Sequence, residues 1–105
     1  MSEFVKICAL SDLISDAGIP ALFNGTAIAL FYVNEVVYAL SNHDPIGQAN
    51  VMSRGMVGSI KGTLVVASPL YKEHYSLSTG QCLEKPEYAL TVYSVKTEDG
   101  YVWVV

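Results

Sequence analysis

The sequence predicts an all-β fold, a small antiparallel β-sandwich or barrel, and three observations carry that prediction. Short runs of β-branched and aromatic residues recur along the 105 residues. Dipeptides that favour turns separate those runs, and only one stretch has helical character. The spacing leaves no linker, internal repeat or low-complexity tract, so the chain is expected to form one domain over residues 1–105.

In chain order, the first expected strand contains Cys8, within "MSEFVKICAL". "SDLISDAG" follows and reads as the one short helix near the N-terminus, with Ser11 as N-cap and Gly18 as its stop. "ALFNGTAIAL" then sets Asn24-Gly25 between two apolar runs, the strongest short hairpin signature, because both residues tolerate positive φ. "TAIALFYV" turns at Asn34-Glu35 into "VVYALS", and "VGSIKGTLVVAS" turns at Lys61-Gly62. "HYSLSTGQCL" folds back at Thr79-Gly80. "ALTVYSV" and "YVWVV" flank Asp99-Gly100 with side chains suited to a half-buried pleat.

Composition narrows the function. Hydrophobic residues make up 51% and charged residues 15%, the balance of a folded domain rather than a disordered chain. Six Lys and Arg face ten Asp and Glu, for a net charge of −4. No basic cluster is present to bind phosphates, so nucleic acid is not an expected partner. No run approaches the roughly 20 apolar residues of a membrane span. The opening residues lack the charged-then-apolar plan of a secretion signal, and the cytoplasm is the expected location. There Cys8 and Cys82 are expected to stay reduced, as small core residues.

Two stretches do not fit the hairpin pattern: residues 42–56 and 68–75. They run through "NHDPIGQANVMSRGM" and "SPLYKEHY", rich in polar and turn-forming residues. In a tight β domain, longer connections are where function usually sits. Neither holds a phosphate-binding glycine loop or a nucleophile-base spacing. His43 and Asp44 are neighbours in sequence, as are Glu73 and His74, so each pair is expected to point apart. No catalytic residue is expected in this chain.

These stretches resemble the two cluster-binding loops of the Rieske-type ferredoxin domain, which carry Cys-x-His-x-x-Gly and Cys-Pro-x-His. Gly47 matches the first loop's glycine, and "MSRG" the Leu-Ser-x-Gly that follows it. "SPLY" matches the second tetrad, with Pro69 in place. "LSTGQCLEKP" matches the strand and turn behind that loop, and "EDGYVWVV" the closing hairpin. The resemblance implies a Rieske-like architecture, with the two loops forming a tip that holds a [2Fe–2S] cluster between two cysteines and two histidines.

Carried across residue by residue, the four ligand positions fall on Asn42, Asp44, Ser68 and Tyr71. Amide, carboxylate and hydroxyl oxygens do not replace thiolate and imidazole around paired irons. Neither a cluster nor a mononuclear metal is therefore expected. A hydrogen-bonded polar group at these four positions is expected to join the loops instead, with Tyr71 filling the vacated volume.

Among Rieske-like proteins without ligands, the chain resembles the small subunit of NAD(P)H-dependent nitrite reductase. That resemblance implies a large-subunit partner carrying FAD, sirohaem and an iron–sulfur cluster, and reducing nitrite to ammonium. The tip is the expected contact, through Met52, Met56, Pro69, Leu70, Tyr71, His74 and Tyr75. A ferredoxin-type electron carrier and a free-standing protein-binding module are the alternatives.

Overall fold

The computed structural model describes residues 3–105. Its strands are β1 (Val5–Ala9), β2 (Ala17–Phe23), β3 (Thr26–Val33), β4 (Val36–Ser41), β5 (His43–Asp44) and β6 (Ala49–Asn50). They continue with β7 (Met56–Ile60), β8 (Thr63–Ala67), β9 (His74–Ser76), β10 (Val92–Tyr93), β11 (Val95–Glu98) and β12 (Tyr101–Val104). All strand pairings are antiparallel. The sheet orders are β1-β12-β11, β10-β4-β3-β2, β5-β6 and β7-β8-β9. Among the described residues, no helix is long and apolar enough to cross a membrane.

Turn chemistry fixes the registers. Asn24-Gly25, Asn34-Glu35, Lys61-Gly62 and Asp99-Gly100 all take positive φ at both residues. Two such residues twist the chain in the sense that flanking strands require. The turns therefore pair Phe23 with Thr26, Val33 with Val36, Ile60 with Thr63 and Glu98 with Tyr101.

β3 is the centre of the molecule. Ile28, Ala29, Leu30 and Phe31 are all fully buried, because both faces of this strand are covered. Ile28 and Leu30 pack with Val37, Ala39, Val102 and Val104 on one side. Ala29, Phe31 and Val33 pack on the other with Met52, Val66, Tyr75, Leu77, Cys82 and Leu90. Burial on two faces explains why "TAIALFYV" shows a continuous apolar run where a half-exposed strand would alternate. The cysteines fall on opposite sides of this layer. Cys82 lies in the second cluster, and Cys8 packs against the first. Burial raises both thiols, with the Asp12 charge adding to the rise at Cys8, so each stays protonated.

The expected helix over "SDLISDAG" is instead a single 3-10 turn, Leu10–Asp12. A helix of this length is marginal on its own, and here strand pairing competes for its second half. Gly18 pairs with Phe31 as part of β2, and the Asp16 N–H donates to the Tyr32 carbonyl at 2.7 Å. Gly18 has a packing role: a Cβ there would lie 2.6 Å from Phe31 Cε1 and 2.7 Å from the Ser53 carbonyl.

Candidate functional site

The two irregular connections lie between β4 and β7 and between β8 and β9. The first contains the β5-β6 hairpin and a 3-10 turn, Met52–Arg54. Its base is fixed by backbone bonds from Asn42 N–H to the Ala27 carbonyl (3.1 Å) and from Met52 N–H to the Asn42 carbonyl (3.1 Å). The second connection closes on itself, with Ser68 N–H donating to Glu73 O (2.9 Å) and Lys72 N–H donating to Ser68 O (3.0 Å).

Asp44 joins them. Its carboxylate is 1% exposed and accepts from four donors. Ile46 N–H (2.9 Å) and Gly47 N–H (3.1 Å) come from its own loop. The Ser68 hydroxyl (2.5 Å) and, at a longer 3.5 Å, the Tyr75 hydroxyl come from the other connection and from β9. Burial pushes this carboxyl up, but the Ser68, Gly47, Ile46 and Tyr75 donors outweigh it and hold it below the ordinary carboxylate range. Burial, aided by the Asp44 charge, raises the Tyr75 phenol, which stays a donor. Asn42 is also buried. Its Oδ1 accepts from Ser53 N–H at 2.6 Å, and its Nδ2 donates to the Asn50 carbonyl at 3.4 Å.

Tyr71 stands apart from this group. It is 62% exposed and fills no buried volume, whereas Tyr75, four residues on, is fully buried in the core cluster. Two residues expected on the tip surface need the same correction: Met52 and Tyr75 are both inaccessible. Strand alternation points Tyr75 to the core face of β9, and the 3-10 turn rolls Met52 inward. Met56, Leu70 and Tyr71 are exposed, and Pro69 and His74 are half-buried.

The histidines do not converge on the former ligand positions. His43 turns outward while Asp44 turns inward, and its Nδ1 lies 3.2 Å from Asn50 Oδ1. His74 bonds Glu84 twice, through its backbone N–H (2.8 Å) and through Nδ1 (2.6 Å). Among the described residues, no three His, Cys, Asp or Glu side chains are grouped to hold a metal ion. Of the four positions, Asp44 and Ser68 bond each other across the two connections, Asn42 bonds Ser53 and Asn50 within its own connection, and the side-chain donor atoms at all four are oxygen or amide. This donor set does not fit a [2Fe–2S] cluster.

Gly47 lets the loops touch. A Cβ there would come within 2.3 Å of Leu70 Cδ1 and 3.2 Å of Asp44 Oδ2. Because the nearest atom ends a flexible side chain, Gly47→Ala is expected to cost only about 1 kcal/mol, read by urea denaturation, as Leu70 swings away. A cost above roughly 3 kcal/mol would mean that Leu70 is rigidly held.

A Rieske-like [2Fe–2S] domain model matches residues 3–105. The nitrite reductase (NADH) small subunit of Salmonella typhimurium is 38% identical over 104 residues, covering 97% of this chain and 96% of its own length. A crystal structure assigned as a nitrite reductase NADPH small subunit aligns at 47% identity with a TM-score of 0.94, covering 99% of both chains. The nitrite reductase NAD(P)H large subunit of Klebsiella oxytoca contains a matching segment. It is 43% identical over 98 residues, which is 93% of this chain and 10% of that protein. With its strand order, its two joined connections and this full-length similarity, the chain belongs to the Rieske-like [2Fe–2S] domain family and, within it, to the nitrite reductase small-subunit homologues.

Proposed function

We propose that this chain is the small subunit of a cytoplasmic NAD(P)H-dependent nitrite reductase, and that it works by docking on the large subunit. It carries no redox centre and no catalytic residue of its own. FAD, sirohaem and an iron–sulfur cluster reside in the large subunit, where nitrite is reduced to ammonium. One observation carries the reading: the Klebsiella relative has a segment like this chain within the same polypeptide as a large subunit. A module found both as a separate chain and as part of its partner is a module that acts against that partner.

The tip supplies the contact. Leu70 is 44% exposed and Tyr71 62%, beside a loop junction that the Asp44 bonds hold in shape. Large apolar and aromatic side chains on a preorganised surface are what interface centres use. Leu70→Asp is expected to weaken association with the large subunit at least tenfold in co-purification or titration, without changing the fold. Burying a leucine is worth roughly 1.5–3 kcal/mol, and a buried carboxylate opposes binding further. Undiminished association would exclude the tip. Iron analysis of the freshly purified chain is expected to find no stoichiometric metal, and a paired-iron signal would overturn the docking-module reading.

A further inference from the structure

Among the described residues, β7 is an edge strand whose outer side has no strand partner. In the sheet order β7-β8-β9, β8 lies on one side of it and nothing is hydrogen-bonded on the other. Among the described residues, no backbone bond beyond the β8 ladder reaches Met56–Ile60. The strand "MVGSI" also lacks the usual protection of an edge, having no proline, no charge and no bulge. Its faces are divided by register. Val57 faces the core with Leu64, Val66 and Tyr75. Met56, Gly58 and Ile60 lie opposite Ala67, Val65 and Thr63 on the outer face, and His74 lies opposite Ala67. There Met56, Gly58, Ile60, Val65, Ala67 and His74 line an apolar groove of about 150 Å³. Gly58 leaves the groove open, since a Cβ at that position would meet nothing within 4 Å.

The charges flanking this edge decide what can fill it. Arg54 precedes the strand and Lys61 follows it, both exposed. Among the described residues neither has a carboxylate within 4.0 Å. A second copy pairing antiparallel about Gly58 would bring each Arg54 beside the other copy's Lys61, with like charges at both ends. An extended segment with acidic residues at its two ends meets the opposite condition. Met56 and His74 line this groove and are among the contact residues of the docking reading, so a partner seated as that reading has it would reach the edge.

We infer that β7 receives an extended, acid-flanked segment of the large subunit as an added strand, its alternate apolar side chains entering the groove over Gly58. This mode of recognition uses main-chain bonds for affinity and side-chain pockets for specificity. It rests on the docking reading above and extends it from the tip to the edge.

Hydrogen exchange on the complex of the two subunits tests it. The amides of Val57 and Ser59, which point to the free edge while those of Gly58 and Ile60 face β8, are expected to slow at least tenfold when the large subunit binds. Arg54→Glu and Lys61→Glu are each expected to weaken association about fivefold, and Lys96→Glu, on the β11-β12 hairpin, to leave it unchanged. Gly58→Glu, which has room to fold, is expected to weaken association at least tenfold by filling the groove. If the tip amides slow on binding while those of β7 do not, the inference fails and the docking reading stands. If no amide of this chain slows, both fail. Protection of β7 in the free chain that rises with its concentration would assign the edge to a second copy and overturn the proposal.

Discussion

Tyr75→Ala is expected to lower the unfolding free energy by about 4 kcal/mol, whereas Tyr71→Ala is expected to change it by less than about 0.5 kcal/mol. Paired urea titrations of the two variants read this difference directly. The two tyrosines are four positions apart, Tyr71 in the second connection and Tyr75 in β9, and Tyr75 is fully buried while Tyr71 is 62% exposed. Removing a buried aromatic ring costs its transfer free energy and leaves a cavity, about 3–5 kcal/mol together. Here the ring packs with Phe31, Met52, Val66 and Leu77, beneath the junction of the two loops. Tyr75→Phe separates the ring from its hydroxyl. With the hydroxyl 3.5 Å from Asp44, its loss is expected to cost less than about 1 kcal/mol. A large loss in Tyr71→Ala would show that the exposed tyrosine carries structure after all.

Asp44→Ala is expected to cost about 3 kcal/mol and to release the second loop. The substitution leaves the Ser68 hydroxyl and the Ile46 and Gly47 N–H groups without their acceptor in a buried site. Bonds to a charged group are worth about 1.5–3 kcal/mol each, though water entering the gap recovers part of that. Acid should act through the same atoms. The Asp44 pKa is lower in the folded chain than its ordinary value of 3.8, so the unfolded chain binds the proton more readily. The stabilisation is therefore complete above that ordinary value and is lost as pH falls below it, towards the lower folded pKa. Asp44→Asn is expected to flatten the stability profile in this acid range, and an unchanged slope would show that other carboxyls govern it.

Both variants act on the buried junction where the Asp44 carboxylate joins the two loops. In a Rieske domain two irons cross-link the loops from inside, whereas here a carboxylate accepting from both loops performs that cross-link. A cluster both joins the loops and carries an electron, while an Asp44–Ser68 bond only joins them. What persists is a shaped surface with Leu70 packed over Gly47, and the docking proposal rests on that surface.

The order of strands and turns was legible in the amino-acid sequence because it depends on local chemistry. Asn24-Gly25 and Asp99-Gly100 accept positive φ whatever surrounds them, and β-branched runs beside them have few other conformations open. That oxygen and amide side chains stand at Asn42, Asp44, Ser68 and Tyr71 was equally legible, since donor chemistry belongs to the side chain and not to its setting. The short helix was misread because its stop, Gly18, is a strand residue. What places it there is the Phe31 ring pressed against it from a strand more than ten residues away.

Which tyrosine is buried, and which methionine faces solvent, were settled only by tertiary packing. Tyr71 occupies the aligned ligand position, but β9 begins at His74, and its alternation points Tyr75 and not Tyr71 into the core. Met52 and Met56 look equivalent along the chain, yet one is rolled inward by a 3-10 turn and the other stands on the outer face of an edge strand. Alternation within a strand can be read from the residues themselves. Where the strand begins and which face is covered depend on contacts between distant segments, so residue identity fixed the donor chemistry of the two loops and the folded chain alone decided which of those side chains are buried and joined.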